Sequence, residues 1–360
     1  MDYDELLAIK WRRFRNAKLL LDSLESHHPL RKVSICDLDR SENIAFLSQV
    51  ESAYFFSEHD TENNKKWFSS KISELKESTE RKAVSSILGE LRAYSVLKKS
   101  DFGEKLVCKS GKGSDFESSV TVNGYEQKVI IEVNTPLGRD DEKRTTIDHG
   151  TSADGNFKTG IKEYAPFGFP ERKEIDSIGS EVISKVNSIK EDEQQFSDDA
   201  INILFVDYVN PFLSTLDIMH GHCKPFMFHN SVVYTGNLWW GMYAKKCETV
   251  FFEKAFHYPK RYAENDTYKM EYDGKLVKAH SKVDFVIFNM YDEIFVLEKL
   301  FPHKLKIPKE LYLTFMTMQG IEYEHLWINY PLQDLSDRIQ NIKQQAEELY
   351  KTASFLPEQE

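Results

Sequence analysis

Three carboxylates, Glu90, Asp115 and Glu132, stand in runs with the patterns of a helix and two strands, and Asn134 follows the last of them by two positions. Converging carboxylate oxygens are hard ligands of the kind that Mg²⁺ takes, alongside the water it keeps. A cation so held lowers the pKa of water, neutralises charge developing on a phosphate and fixes an in-line geometry. Residue types and spacing therefore allow the three acids to converge on one divalent cation. Each acid also has an ordinary reading. Asp115 after Gly113-Ser114 suits a turn or a cap. Glu132 suits the surface end of a strand. Glu90 suits a pair with Arg92 or Arg81, or a face in solvent.

The elements around these residues come next. Ala83, Ile87, Glu90, Tyr94 and Leu97 recur at helical spacing, so Glu90 falls in a largely apolar row. A carboxylate there is paired, protonated or metal-bound. Gly89 beside it lets the helix approach a sheet closely. Residues 115–123 read as a strand ending at the turn signal Asn123-Gly124, and a second strand runs to Asn134. In that second strand Val129, Ile131 and Val133 share an apolar face, while Lys128, Ile130, Glu132 and Asn134 share the other. An antiparallel hairpin brings Asp115 and Glu132 onto neighbouring strands.

Helix, strand and strand bearing Glu90, then Asp115, then Glu132-Val133-Asn134 resemble the PD-(D/E)xK nuclease superfamily, the fold of many restriction endonucleases. The resemblance rests on residues 88–136 directly and on element order beyond them. It implies an α/β fold with a restriction-endonuclease-like core, α-β-β-β-α-β, a mixed sheet flanked by helices. It implies Mg²⁺ as cofactor, with Mn²⁺ as a substitute, and cleavage of nucleic acid, DNA by preference. By the family's pattern Asp115, Glu132 and the Val133 carbonyl are metal ligands, and Glu90 completes the site. The chain departs from the pattern at Asn134, where the family carries lysine. Lys128 shares the Glu132 face but lies about 13 Å upstream along a strand. Lys185 and Lys190, on a following helix, are alternatives, of which we favour Lys185. The rival expectation is a nucleic-acid-binding or interaction protein with a degenerate site.

The chain has 360 residues and a formal net charge of -11, which weighs against a protein that coats nucleic acid and leaves room for a local basic surface. Cys36, Cys108, Cys223 and Cys247 form no C-x-x-C pair, as expected of a reducing, cytoplasmic setting. The charged N-terminus and the lack of a membrane-length apolar run lead us to expect neither a signal peptide nor a membrane partner. No Walker lysine motif, G-x-S-x-G elbow or H-E-x-x-H is present, which argues against several NTPase, hydrolase and protease classes.

The rest of the chain divides into a helical prefix over 1–78, a nuclease domain over 79–330 and a C-terminal helix over 331–360. Residues 1–30 of the prefix read as a helix whose basic cluster, Lys10-Trp11-Arg12-Arg13-Phe14-Arg15, is either a solvated face with aromatic anchors or a phosphate-contacting patch. Residues 40–58 and 63–78 read as helices. Residues 137–176 read as a Gly- and charge-rich loop, a flap or a disordered insertion, containing Asp148-His149. A helix over 176–196 and a buried strand over 201–209 follow. Residues 231–244, 283–288 and 293–297 read as strand-like extensions, and 275–282 as surface. His220, His222, Cys223, Cys247 and His257 match no common zinc spacing, and Cys247 falls in a strand-like run, so separate histidines are the expectation. Leu332, Leu335, Ile339, Ile342, Ala346 and Leu349 form a short heptad seam that docks on the body or joins a homodimer.

Overall fold

The structure, a computed structural model, describes residues 11–32, 41–111, 113–122, 124–136, 147–151, 157–161, 178–191, 195–209, 227–229, 232–234, 236–251, 254–255, 267–290, 293–319 and 335–353. A mixed six-stranded sheet runs through the centre. Its strands are β1 (Val107–Cys108), β2 (Phe116–Val122), β3 (Tyr125–Asn134), β6 (Ile201–Asp207), β12 (Phe285–Met290) and β13 (Glu293–Glu298), in that spatial order. β1–β2, β2–β3 and β12–β13 pair antiparallel, while β3–β6 and β6–β12 pair parallel. The strands between β3 and β6 are β4 (Ile147–Thr151) and β5 (Phe157–Ile161), a separate antiparallel pair. Two further small sheets combine β7 (Met227–His229), β8 (Val232–Tyr234) and β10 (Lys254–Ala255), and β9 (Thr249–Phe251) with β11 (Thr267–Lys269).

Helices cover both faces of the large sheet. They are α1 (Arg15–Asp22), α2 (Ser41–Glu58), α3 (Glu62–Glu77), α4 (Arg81–Lys99), α5 (Ile178–Ser188), α6 (Asn237–Tyr243), α7 (Lys309–Gln319) and α8 (Leu335–Ala353). The alternation of strand side chains decides which helix meets which face. Val129, Ile131, Ile201, Ile203 and Phe205 join Leu20, Val50, Trp67, Leu88 and Phe315 in one apolar cluster, so α1 to α4 and α7 lie there. Leu204, Val206, Val286 and Phe288 join Ile183, Trp239, Trp240 and Ile339 in a second, with α5, α6 and α8. Every residue of β6 is buried, which is why its sequence is apolar between Asn202 and Asp207 with no period of two. Leu335, Ile339 and Ala346 are buried, so the heptad seam docks on the body.

Several expectations need correction. Residues 237–243 form α6 rather than a strand. The run is apolar throughout and has no period to read, and a helix apolar all round is a buried one. All of its residues are buried, and Trp240 N–H donates to the Gly236 carbonyl at 2.7 Å. Residues 309–319 form α7, with Leu311, Tyr312 and Phe315 on its inner side. Residues 137–176 are not wholly a loop, because β4 and β5 lie in them. Residues 1–30 are not one helix: α1 ends at Asp22 and a 3₁₀ turn follows at Pro29–Lys32. The helix expected over 176–196 ends at Ser188. Lys275 is not at the surface: its Nζ meets the Ile189 carbonyl at 2.7 Å and Glu191 Oε1 at 2.9 Å. Cys247 lies in a turn at φ +68°, not in a strand.

Buried polar groups tie helices to the sheet. Arg92 of α4 donates from Nε to Asp207 Oδ2 at 2.9 Å and from Nη2 to the same oxygen. Asn289 Nδ2 donates to Asp207 Oδ1 at 2.8 Å, and Gln49 of α2 joins through Asn289 at 3.1 Å. Gly89 permits the approach: a Cβ there would lie 1.8 Å from Thr135 Oγ1 and 3.3 Å from Asp207 Oδ2. At the other edge His303 bridges Asp284 at 3.0 Å and Glu298 at 2.6 Å, and the Tyr312 hydroxyl of α7 donates to Glu298 at 2.7 Å. Burial opposes a charge on His303, but its two carboxylate partners outweigh it and hold its pKa above the usual histidine value. Among the described residues, no helix is long and apolar enough to cross a membrane.

Candidate active site

Two helices deliver opposite charges to one place. On α4, Ile87, Tyr94 and Leu97 bury the row that contains Glu90. On α3, the inward row is Asn64, Trp67, Phe68, Lys71 and Leu75, so Lys71 is a cation among packed side chains. Local bonds fix α3. The Thr61 hydroxyl accepts from Asn64 N–H at its start, and the Asn64 side chain bonds Leu106 O at 2.8 Å and Cys108 N at 2.9 Å. Asp60 takes the Tyr94 hydroxyl at 2.7 Å and Lys98 Nζ at 2.9 Å, which locks α3 to α4. The result is Lys71 Nζ at 2.7 Å from Glu90 Oε2, with side chains only 19% and 12% exposed. Glu74, one turn further along α3, is the second carboxylate near Lys71, at 3.5 Å.

Asp115 completes this group. It sits just before β2, after Ser114 and Gly113, the latter at φ +135°, a region that favours glycine. Its Oδ2 accepts the Val133 N–H at 2.8 Å, and Lys109 N–H donates to its carbonyl at 2.9 Å. Burial raises the Asp115 carboxyl to about 6, against the opposing pull of the Val133 N–H and Lys71. Burial, then the charge of Asp115, raises Glu90 to about 7, with Lys71 opposing. Lys71 is itself held above the usual lysine value: burial lowers it, and Glu90, Glu74 and Asp115 together outweigh that. Two acids and a lysine thus share one poorly solvated site.

The hairpin is as expected. Phe116 pairs with Ile131 and Val122 with Tyr125, and Gly124 takes φ +82° at the turn. Continued one step, that register sets Asp115 opposite Glu132. Glu132 is half-buried, and its Oε1 accepts from Gln195 Nε2 at 2.8 Å. Asn134 ends β3 beside Val206 of β6. Among the described residues, the Asn134 Oδ1 and Thr135 Oγ1 atoms are shielded from solvent without a hydrogen-bond partner. Glu90 does not pair with Arg92, which faces Asp207 instead. Lys128 is bound to Glu117 at 2.8 Å. Lys185 lies half-buried in the last turn of α5, and Lys190 is exposed beyond it.

Mg²⁺ asks for one or two carboxylates and fills its remaining positions with water and phosphate. Glu90 and Asp115 supply that number of hard oxygens, so the donors fit. Among the described residues, no group of three or more His, Cys, Asp or Glu side chains is placed to hold a metal ion. His220, His222, Cys223 and His257 lie outside the described residues, as do the side chains of Asp148 and His149. At the N-terminus Arg12, Arg13 and Arg15 are exposed around a buried Phe14, while Lys10 lies outside the described residues. Sequence reasoning missed Lys71 and Gln195. A lysine in the apolar row 64–75 was a visible signal for the first; a polar residue at the end of the run read as a helix over 176–196 gave none for the second. Compared with protein-family models, with curated proteins and with solved structures, the chain matches nothing.

Proposed function

We propose that this chain is a metal-dependent nuclease that hydrolyses phosphodiester bonds of nucleic acid, DNA in preference to RNA, on a core of the restriction-endonuclease type. The observation that carries the reading is the buried pair Glu90 and Asp115: burial raises both carboxyls, and the charge of Asp115 raises Glu90 further. Desolvated acids sharing a site are expensive to keep unless they have a task. The order from α4 through β1, β2 and β3 to α5 and β6 supports it, with β3 and β6 parallel.

A divalent cation bound there would supply activated water and neutralise developing charge. Glu90 and Asp115 would hold it, with the Val133 carbonyl as a third ligand. Glu132, steadied by Gln195, orients water on the neighbouring strand. Asn134 gives a hydrogen bond where the family has a charge. The protein works in the cytoplasm, and double-strand cutting calls for a homodimer.

The test is incubation of plasmid and single-stranded DNA with Mg²⁺ or Mn²⁺, comparing the wild type with Asp115→Ala and Glu132→Ala. Metal-dependent cutting by the wild type that both substitutions abolish is the expected result. Cutting that survives both removes this site. A second reading, a nucleic-acid-binding protein without activity, is favoured by Asn134 and by the engagement of Lys128 with Glu117. It expects binding by the wild type and no cleavage under any metal.

A further inference from the structure

Lys71 has no part in the strand motif, yet its ammonium lies 2.7 Å from a carboxylate oxygen of Glu90. Its placement is built rather than incidental. The row that buries it is fixed at both ends of α3, by Asn64 on β1 and by Leu75 in the apolar cluster. Its ammonium meets Glu90 at 2.7 Å and has a second carboxylate, Glu74, at 3.5 Å, whose side chain is 55% exposed. A lysine between an inner and an outer acid has two resting places.

We propose that Lys71 is an internal counterion that competes with the divalent cation for Glu90. The cation moves the ammonium toward Glu74, where it faces the substrate phosphate. This rests on the metal site proposed above. Both cations need the same carboxylate oxygen, and two positive charges within a few ångströms in a poorly solvated site repel strongly. Lysine suits such a role because it is a compact point charge on a flexible stem. The chain therefore obtains from α3 the positive charge that position 134 does not carry.

The competition has a signature with opposite signs. Calorimetric titration of the full chain with Mn²⁺ alone, at alkaline pH where the acids are ionised, gives the affinity without turnover. Lys71→Met removes the competitor, so Mn²⁺ should bind about tenfold tighter while DNA cleavage falls away. Glu74→Gln removes the outer resting place and leaves Lys71 on Glu90, so Mn²⁺ should bind more weakly. Glu74 is exposed enough that this variant folds even if Lys71→Met does not. A Mn²⁺ affinity that is unchanged or reversed in sign in the variants that fold overturns the proposal and leaves the metal site standing. A wild type that neither binds Mn²⁺ nor cuts DNA overturns the metal site itself, and this role with it.

Discussion

Replacing Glu90 by glutamine should make the protein steadily more stable, relative to wild type, as the pH rises. Glu90 is raised by burial and by Asp115 from 4.5 to about 7. An acid with a higher pKa folded than unfolded keeps, in the native state, a proton that the unfolded chain has already lost. Stability from this group is therefore complete below about 4.5 and falls as pH climbs to about 7. One unit is about 1.4 kcal/mol, so the whole shift is worth about 3 kcal/mol. Glutamine keeps the shape and does not titrate. Lys71, held above its ordinary value of 10.5, remains charged throughout. The charge of Asp115 is one cause of the Glu90 shift and is therefore part of the expected difference. The assay is urea unfolding of both proteins at a series of pH values, with a chelator present to exclude metal linkage. The stability difference should grow by about 3 kcal/mol in favour of Glu90→Gln between acid and mildly alkaline buffer. A difference flat to within about 0.5 kcal/mol would mean that Glu90 is well solvated. The main support for the proposed function would then be gone.

Three other outcomes follow from the same geometry. Gly89→Ala should lose about 1–2 kcal/mol in urea unfolding, because overpacking against Thr135 exceeds the helix gain of alanine. Adding Thr135→Ala should restore most of it, since the atom at 1.8 Å is removed. Asp207→Ala should cost about 3–5 kcal/mol by leaving the Arg92 charge buried without its partner, which chemical denaturation would show as a lowered midpoint. His303→Gln should destabilise most at acid pH. A histidine whose pKa is raised on folding contributes fully below its unfolded value and loses that contribution as pH rises through the folded one. The gap between the two unfolding curves should close toward alkaline pH.

Much of the region around the acids was legible because its signals are local. Asn123-Gly124 marks a turn that only a hairpin explains, and the alternation of Val129, Ile131 and Val133 fixes which way Glu132 points. Gly89 in the middle of a helical row signals close packing, and Thr135 is what it packs against. The failures have a common physical origin. Residues 237–243 are apolar on every side, and burial on all sides erases the period that separates helix from strand. Lys275 looked exposed because lysine usually is, whereas its partners Ile189 and Glu191 are distant in sequence. Lys71 was missed for a related reason. Lys128, Lys185 and Lys190 all follow Asp115 in the chain, and the lysine that reaches Glu90 comes from the helix before it.

Glu90 and Arg92 stand two positions apart on α4 and face different surroundings, and that difference separates structure from chemistry. Arg92 and Asp207 are both fully buried, and Asn289 adds a further bond to Asp207. Breaking such a pair strands a charge away from water, so it holds α4 in one register. Lys71, Glu90 and Asp115 are only partly covered, and Glu74 leads out to solvent. Charges at such a depth interact strongly and can still exchange partners, because water reaches the rim. A rigid ion pair beneath an adjustable one suits the proposed cation site: Arg92 fixes where Glu90 is, and Lys71 is the partner that a cation would displace.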